Sequence, residues 1–163
     1  MPRLDLTITA DVLEDDGKQQ LMRDLGAALL RAEGAPDTAF SRSITWAHLH
    51  ELPAEAIQTP DGTAEPHAVI DVSVPDGALS PKRKASLVEE TTRLVLEATG
   101  WGDEAGVGVW TLIRDVPEGN WGAGGQIVHF EQLRAAAKAE REQEGSGRSQ
   151  VPAAAGSGDQ VPA

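Results

Sequence analysis

The chain has 163 residues, of which 40% are hydrophobic and 25% are charged, which is enough for one domain with its own core. Its net charge of −12 argues against nucleic acid or an anionic membrane as a partner, because both attract basic surfaces. The absence of cysteine excludes disulfides, thiol nucleophiles and thiolate metal sites, and it is typical of a reducing compartment.

The first predicted elements form a strand–helix–strand unit. Apolar and polar residues alternate over residues 4–8, which predicts a strand. Leucines that share one helical face then follow, and Asp15 and Asp16 suit the positive end of that helix. Gly34 stands where a helix is expected to stop, and a second strand is predicted at about 43–49.

The same pattern returns 66 residues further along the chain. Residues 4–34 align without a gap with residues 70–100, and seven of the 31 positions are identical, where chance gives about two. Ser80 and Pro81 predict the start of the second helix, and Gly100 predicts its end. The second strand of this unit is predicted at about 108–115.

Two such units predict an α+β fold of tandem β-α-β repeats. Right-handed crossovers place both helices on one face of a single four-stranded sheet, so that the other face needs further copies of the chain to cover it. We predict a domain at 2–133, with repeats at about 2–56 and 68–128. An exposed helical extension over 134–144 and a disordered tail over 145–163 are expected to follow.

The start MPRLDLTI, the strand end IRDVPEGNWGAGGQ and the tandem duplication together resemble the tautomerase superfamily, typified by 4-oxalocrotonate tautomerase. The resemblance covers residues 2–133 and is to fused members with two units in one chain. It implies that Met1 is removed, that the amine of Pro2 is catalytic, that no cofactor is needed and that the protein is a homotrimer.

The chemistry of a free Pro2 amine agrees with that role. An α-amino group has an ordinary pKa of about 7.7–8.0, and an apolar pocket lowers it further. The amine can then move a proton between the carbon and the oxygen of a keto/enol pair. The repeat places Ala68 opposite Pro2, and Ala68 has no free amine, so one site per chain is expected. We therefore predict a tautomerase or isomerase acting on a small 2-oxo acid.

The expected substrate follows from what the aligned positions contain. The two arginines of the oxalocrotonate enzyme are absent, because the matching positions hold Val12 and Ala78 in one case and Trp46 and Trp110 in the other. A dianion without those arginines would be left unpaired. A less charged, aromatic enol such as an arylpyruvate therefore suits a site walled by Trp46 and Trp110.

Further candidates for substrate binding are Arg114, Arg42, Trp121 and His50. Arg114 shares a strand face with Trp110 and can orient a carboxylate. Arg42 fills the role of the arginine that is absent at Trp46 if the alignment of the first repeat slips. Trp121 matches the pocket phenylalanine of the family. His50 and its neighbour on the same strand face are interpreted first as polar residues at a subunit contact and then as a general acid; a metal site is not predicted, because no third ligand has a useful spacing.

Two alternatives remain open at this stage. Relatives in the superfamily carry out dehalogenation or decarboxylation, and a trimeric binding protein could keep the fold without turnover. No signal peptide and no membrane helix are expected, since neither pattern occurs in the sequence, and we predict a cytoplasmic protein.

Overall fold

The computed structural model describes residues 2–62 and 66–148. The first repeat contains strand β1 (Arg3–Thr9), helix α1 (Asp15–Glu33), short helix α2 (Ala39–Ser43) and strand β2 (Trp46–Leu52). The second repeat contains strand β3 (Ala68–Pro75), helix α3 (Pro81–Thr99) and strand β4 (Val109–Val116). A small hairpin of β5 (Gly122–Ala123) and β6 (Gln126–Ile127) leads to helix α4 (Phe130–Arg148).

The internal repeat is visible in the ends of the helices. Helices α1 and α3 both have 19 residues and are offset by the 66 residues that the sequence alignment gives. The hydroxyl of Ser80 accepts a hydrogen bond from the Arg83 N–H at the start of α3. Gly34 and Gly100 end the two helices with φ of 67° and 69°, the left-handed region that glycine tolerates best.

The four long strands form one sheet in the order β2-β1-β3-β4. Pairing is parallel within each repeat, as a β-α-β crossover requires, and antiparallel where β1 meets β3. Asp5 pairs with Asp71, its counterpart in the repeat, so an approximate twofold axis passes between them. The predicted α+β fold with one four-stranded sheet is confirmed.

Both helices pack on one face of this sheet, as the sequence predicts. The core consists of the inward residues of β1 and β3 and the apolar faces of α1 and α3, including Leu4, Leu6, Ile8, Leu21, Leu25, Leu29, Ile70, Val72, Leu87 and Val95. Thr91 is a buried polar residue of α3; its hydroxyl donates to the Leu87 carbonyl at 2.8 Å and lies 3.1 Å from the hydroxyl of Thr111. The opposite face of the sheet is open and carries the exposed Trp46, Trp110 and Leu112.

Helix α4 differs from the extension predicted over 134–144. It begins four residues earlier, with buried Phe130, and continues to Arg148, so that the first residues of the predicted tail are helical. The rest of that predicted tail, residues 149–163, lies outside the described residues. Within residues 2–62 and 66–148, no helix is both long enough and apolar enough to cross a membrane.

The two equivalent glycines provide a matched pair of stability tests. Gly34→Ala and Gly100→Ala each force a side chain into the left-handed region, at a cost of about 1 kcal/mol. At Gly34 the added Cβ would also lie 2.8 Å from an Arg83 guanidinium nitrogen, whereas nothing lies within 4 Å at Gly100. We expect Gly34→Ala to lose more stability in urea unfolding, and equal losses would show that Arg83 moves away freely.

Candidate active site

A cleft of about 620 Å³ opens at the end of the sheet where the chain begins. Pro2 immediately precedes β1 and is buried, and its carbonyl accepts a hydrogen bond from the Trp46 N–H at 3.2 Å. Because β1 and β3 are antiparallel, Pro75 at the end of β3 lies at the same end of the sheet as Pro2, and both prolines line the cleft. The position of the predicted catalytic residue is therefore fixed by two neighbouring strands.

The walls of the cleft are largely apolar and come from four different elements. The end of α1, the segment through α2, the turn after β3 and the first turns of α4 all contribute. The apolar lining consists of Leu30, Ala35, Pro36, Phe40, Ile44, Ala78, Phe130 and Leu133. Such walls exclude water and favour the neutral form of an amine at Pro2.

A carboxyl group shares the cleft with Pro2. Glu33 is the last residue of α1, is partly buried and lines the same cavity. Burial raises the pKa of Glu33 to about 7. The cleft therefore contains a carboxyl group that changes its protonation state close to neutral pH, which is the range useful for proton transfer.

Three cationic side chains also line the cleft: Arg83 at the start of α3, and Arg134 and Lys138 on α4. Arg83 is held in place, since its Nη1 donates to the backbone carbonyl of Glu33 at 3.1 Å. The sequence analysis did not single out these cations or Glu33. In the sequence they are ordinary charges at helix ends and on an exposed helix. The contact of α3 with α1 brings Arg83 to Glu33, and the packing of α4 adds Arg134 and Lys138.

In the single chain, the two residues of the first repeat that are predicted to bind substrate, Arg42 and Trp46, lie outside this cleft. Arg42 forms an ion pair with Asp37 at 2.6 Å and faces a neighbouring groove beside α1. Trp46 is 60% exposed on the open face of the sheet, and its indole N–H donates to the Ser43 carbonyl at 3.3 Å. Trp46 is joined to Pro2 by a hydrogen bond between backbone groups.

The predicted residues of the second repeat are also separated from Pro2. Trp110 lies at the opposite end of the sheet, where it pairs with Val69. Arg114 shares the open face with Trp110, and its Nη2 lies 2.5 Å from an oxygen of Asp71. Trp121 belongs to the hairpin that precedes α4 and does not line the cleft.

His50 and His48 converge on Asp5 on the open face. One Asp5 oxygen lies 3.0 Å from His48 Nδ1 and 3.3 Å from His50 Nε2. Burial raises the pKa of Asp5, but the two imidazole hydrogen bonds and the charge of Arg3 outweigh it and lower that pKa below its ordinary value. These three side chains could hold a metal ion, yet Arg3 already lies 2.8 Å from the other Asp5 oxygen and supplies a positive charge.

The counterpart of the Pro2 cleft in the second repeat is much smaller. It has a volume of about 210 Å³ and lies at the other end of the sheet, near Ala68. Trp101, which aligns with Ala35 at the 66-residue offset, lines it, whereas the smaller Ala35 lines the cleft of Pro2. This asymmetry agrees with the expectation of one reactive site per chain.

Comparison with known proteins places the fold in a defined class. Residues 69–131, which begin in β3 and end in α4, match the family model described as "Tautomerase enzyme". No protein of curated function matches the sequence. The second repeat thus matches the tautomerase family directly, and the resemblance predicted from the sequence is confirmed.

Solved structures share the fold over 77% to 89% of this chain. The "Q0 fused 4-OT wild type symmetric trimer" is similar with a TM-score of 0.65 and 23% identity, over 77% of this chain and 94% of that one. N1, a member of the cis-3-chloroacrylic acid dehalogenase family, is similar with a TM-score of 0.66 and 18% identity, over 89% of this chain and 99% of that one. Macrophage migration inhibitory factor of Toxoplasma gondii is similar with a TM-score of 0.63 and 13% identity, over 77% of this chain and 99% of that one. At these identities the shared property is the fold.

The raised pKa of Glu33 makes a prediction for stability. The folded state favours the protonated carboxyl, so this contribution is present below the ordinary pKa of 4.5 and is lost as the pH rises through about 7. The full shift corresponds to about 3 kcal/mol, which partial exposure reduces to about 2. Glu33→Gln should therefore stabilise the protein by about 2 kcal/mol at pH 8 and by little at pH 4.5.

Urea unfolding at the two pH values measures this difference. Glu89→Gln, on an exposed position of α3, removes the same charge and serves as the control. An equal effect of both substitutions at pH 8 would contradict the burial of the Glu33 carboxyl.

Proposed function

We propose that this protein is a cofactor-independent tautomerase that transfers a proton between the carbon and the oxygen of a small 2-oxo acid, with the amine of Pro2 as the base. The observation that carries the proposal is the burial of Pro2 at a largely apolar cleft that also contains Glu33, whose pKa is about 7. Removal of Met1 is part of the proposal, because only then does Pro2 carry an amine.

The proposed reaction uses the two titrating groups in turn. The neutral amine of Pro2 accepts the proton from the carbon beside the carbonyl, and the C–H electrons form the C=C bond of the enol. The protonated carboxyl of Glu33 donates a proton to the oxygen that gains negative charge. Exchange of one proton between the two groups, directly or through water, then restores both. The aromatic wall from Phe40 and Phe130 suits an arylpyruvate.

A second candidate reaction is the hydrolytic removal of halogen from an unsaturated acid. It is favoured by the likeness to a member of the cis-3-chloroacrylic acid dehalogenase family and by a carboxyl group in the Pro2 cleft. In that reaction, ionised Glu33 would take a proton from a water that attacks the halogenated carbon, a proton would add to the neighbouring carbon, and chloride would leave. The same two groups would exchange their roles of acid and base.

We also propose that the open face of the sheet mediates a homotrimer. The exposed Trp46, Trp110 and Leu112 form apolar surface on that face, and the related fused 4-OT is described as a trimer. The predicted substrate contacts of Trp46, Trp110, Trp121, Arg42, Arg114 and His50 remain a proposal. In the single chain these residues do not line the cleft, so that role depends on a site shared between copies.

Substitution of the proline tests the proposed base. In Pro2→Ala, the amine is primary and less constrained, and we expect kcat/KM for phenylenolpyruvate to fall by about 10²-fold or more. Pro53→Ala, at an exposed proline outside the cleft, should keep the activity of the unaltered protein. Intact mass must show that Met1 is absent from the active protein.

Two results would count against the tautomerase. Retention of Met1 in a fully active protein, or activity unchanged in Pro2→Ala, would rule out the amine as the base. Release of chloride from cis-3-chloroacrylate by the unaltered protein, without turnover of phenylenolpyruvate, would favour the second candidate reaction.

Assembly is tested by a charge on the open face. Trp110→Glu should shift the mass in sedimentation equilibrium from three times 17.2 kDa towards the single chain, because a buried carboxylate without a partner is costly. Val107→Glu is the control, since Val107 is 85% exposed and lies before β4, outside the sheet. A trimer that persists in Trp110→Glu would show that this face is not the interface.

A further inference from the structure

We propose that Arg134 and Lys138 of α4, a helix outside the two repeats, bind the carboxylate of the substrate at the cleft of Pro2. This inference rests on the proposed function. It assigns the binding of the carboxylate to α4, because the arginines predicted from the sequence, Arg42 and Arg114, do not line the cleft. The anchor would belong to the C-terminal extension, and the proton chemistry would belong to the repeats.

The first support is the way in which the start of α4 is fixed. Phe130 is 5% exposed, and its N–H donates to one oxygen of Glu118 at 3.1 Å. The other oxygen of Glu118 lies 3.0 Å from His129 Nδ1. The first turn of α4 is therefore tied to the segment after β4, and its direction across the cleft is set by buried and hydrogen-bonded groups.

The second support is the spacing of the two cations. Arg134 and Lys138 are four residues apart, so they lie on one face of α4 a single turn from each other. Leu133 lines the cleft beside them and gives that face an apolar part. A substrate with an aromatic ring and a carboxylate matches this pattern, because the ring meets the apolar wall and the carboxylate meets the cations.

The third support is the charge of the cleft against that of the whole chain. The sequence has 26 acidic and 14 basic residues, so that an average patch of surface is acidic. The cleft instead has three cations, including Arg83, and one carboxyl group. A concave site with an excess of one sign of charge attracts ligands of the opposite sign, which here are anions.

The structural demands on the two α4 cations are small. Within the described residues Arg134 forms no ion pair, and Lys138 forms one to Glu142 at 3.9 Å, where both side chains are exposed. An exposed pair at that distance contributes little to stability. By contrast, Arg42 and Arg114 are paired with aspartates outside the cleft. Arginine binds a carboxylate with two parallel hydrogen bonds, and lysine adds a mobile ammonium.

The test compares a carboxylate substrate with its neutral ester in the full-length protein. In the double variant Arg134→Gln/Lys138→Gln, we expect KM for phenylenolpyruvate to rise by about 10- to 100-fold, with kcat changed by about twofold or less. KM for the methyl ester should stay unchanged. Arg134→Lys/Lys138→Gln, which keeps a cation at position 134, should have a smaller rise in KM for phenylenolpyruvate than the double glutamine variant. Circular dichroism of each variant should show an unchanged helix content.

A charge-matched control separates local binding from the overall field. Arg23→Gln/Lys82→Gln removes two exposed positive charges that do not line this cleft, and it should leave KM for both substrates unchanged. Equal effects of the two double variants, or equal rises in KM for acid and ester, would overturn the anchor while leaving a Pro2-dependent tautomerase intact.

Binding measurements distinguish failure of the anchor from failure of the proposed reaction. If the unaltered protein has no Pro2-dependent turnover, titration calorimetry with phenylacetate and phenylacetamide still tests the anchor. We expect binding of phenylacetate alone, weakened about 10-fold or more in Arg134→Gln/Lys138→Gln. Equal affinity for acid and amide, or no loss in the variant, would overturn the inference.

Discussion

The antiparallel pairing of β1 with β3 is the interaction on which the rest of the molecule depends. It joins two parallel β-α-β units into one sheet and places Asp5 opposite Asp71 at the approximate twofold axis. Like charges in directly opposed positions destabilise a sheet, so each carboxylate needs a partner. Arg3 and the two histidines of β2 surround Asp5, and Arg114 pairs with Asp71.

The same pairing creates two similar ends of the sheet, which the sequence has made different. At one end, Pro2 lies beside the end of β3 and faces an open cleft. At the other end, Ala68 takes the place of Pro2, Trp101 takes the place of Ala35, and the cavity is about a third as large. Ala68 lies inside the chain and carries no amine, and residues of α4 line only the larger of these two cavities.

The sequence predicts the fold well because the relevant signals are local. The alternating strands, the Ser80–Pro81 start and the stops at Gly34 and Gly100 each act within a few residues, and the structure places both helices at the expected offset. The repeat then adds the long-range information that two units form one sheet. The ends of β2 are less well predicted, since the strand begins at Trp46 rather than at residue 43.

The sequence predicts the candidate site only in part, for a physical reason. Pro2 is identifiable because its chemistry depends on its position in the chain. Glu33 has no such mark, since a glutamate in the last turn of a helix is usually solvated, and its raised pKa arises from burial by elements distant in sequence. Tryptophan side chains are large and apolar, which suggested from the sequence that they wall the site. Strand alternation instead directs Trp46 and Trp110 to the open face.

The roles proposed for the repeats and for α4 have a consequence for specificity. Groups that move protons must be held by rigid neighbours, and the two groups proposed for this role, Pro2 and Glu33, lie at the ends of a strand and a helix that pack in the core. Groups that select a charged ligand can lie on a helix added afterwards, because recognition of a carboxylate requires proximity and charge more than a buried scaffold. If α4 binds the carboxylate as proposed, changes in α4 alter which acid enters the cleft without disturbing the sheet that positions Pro2.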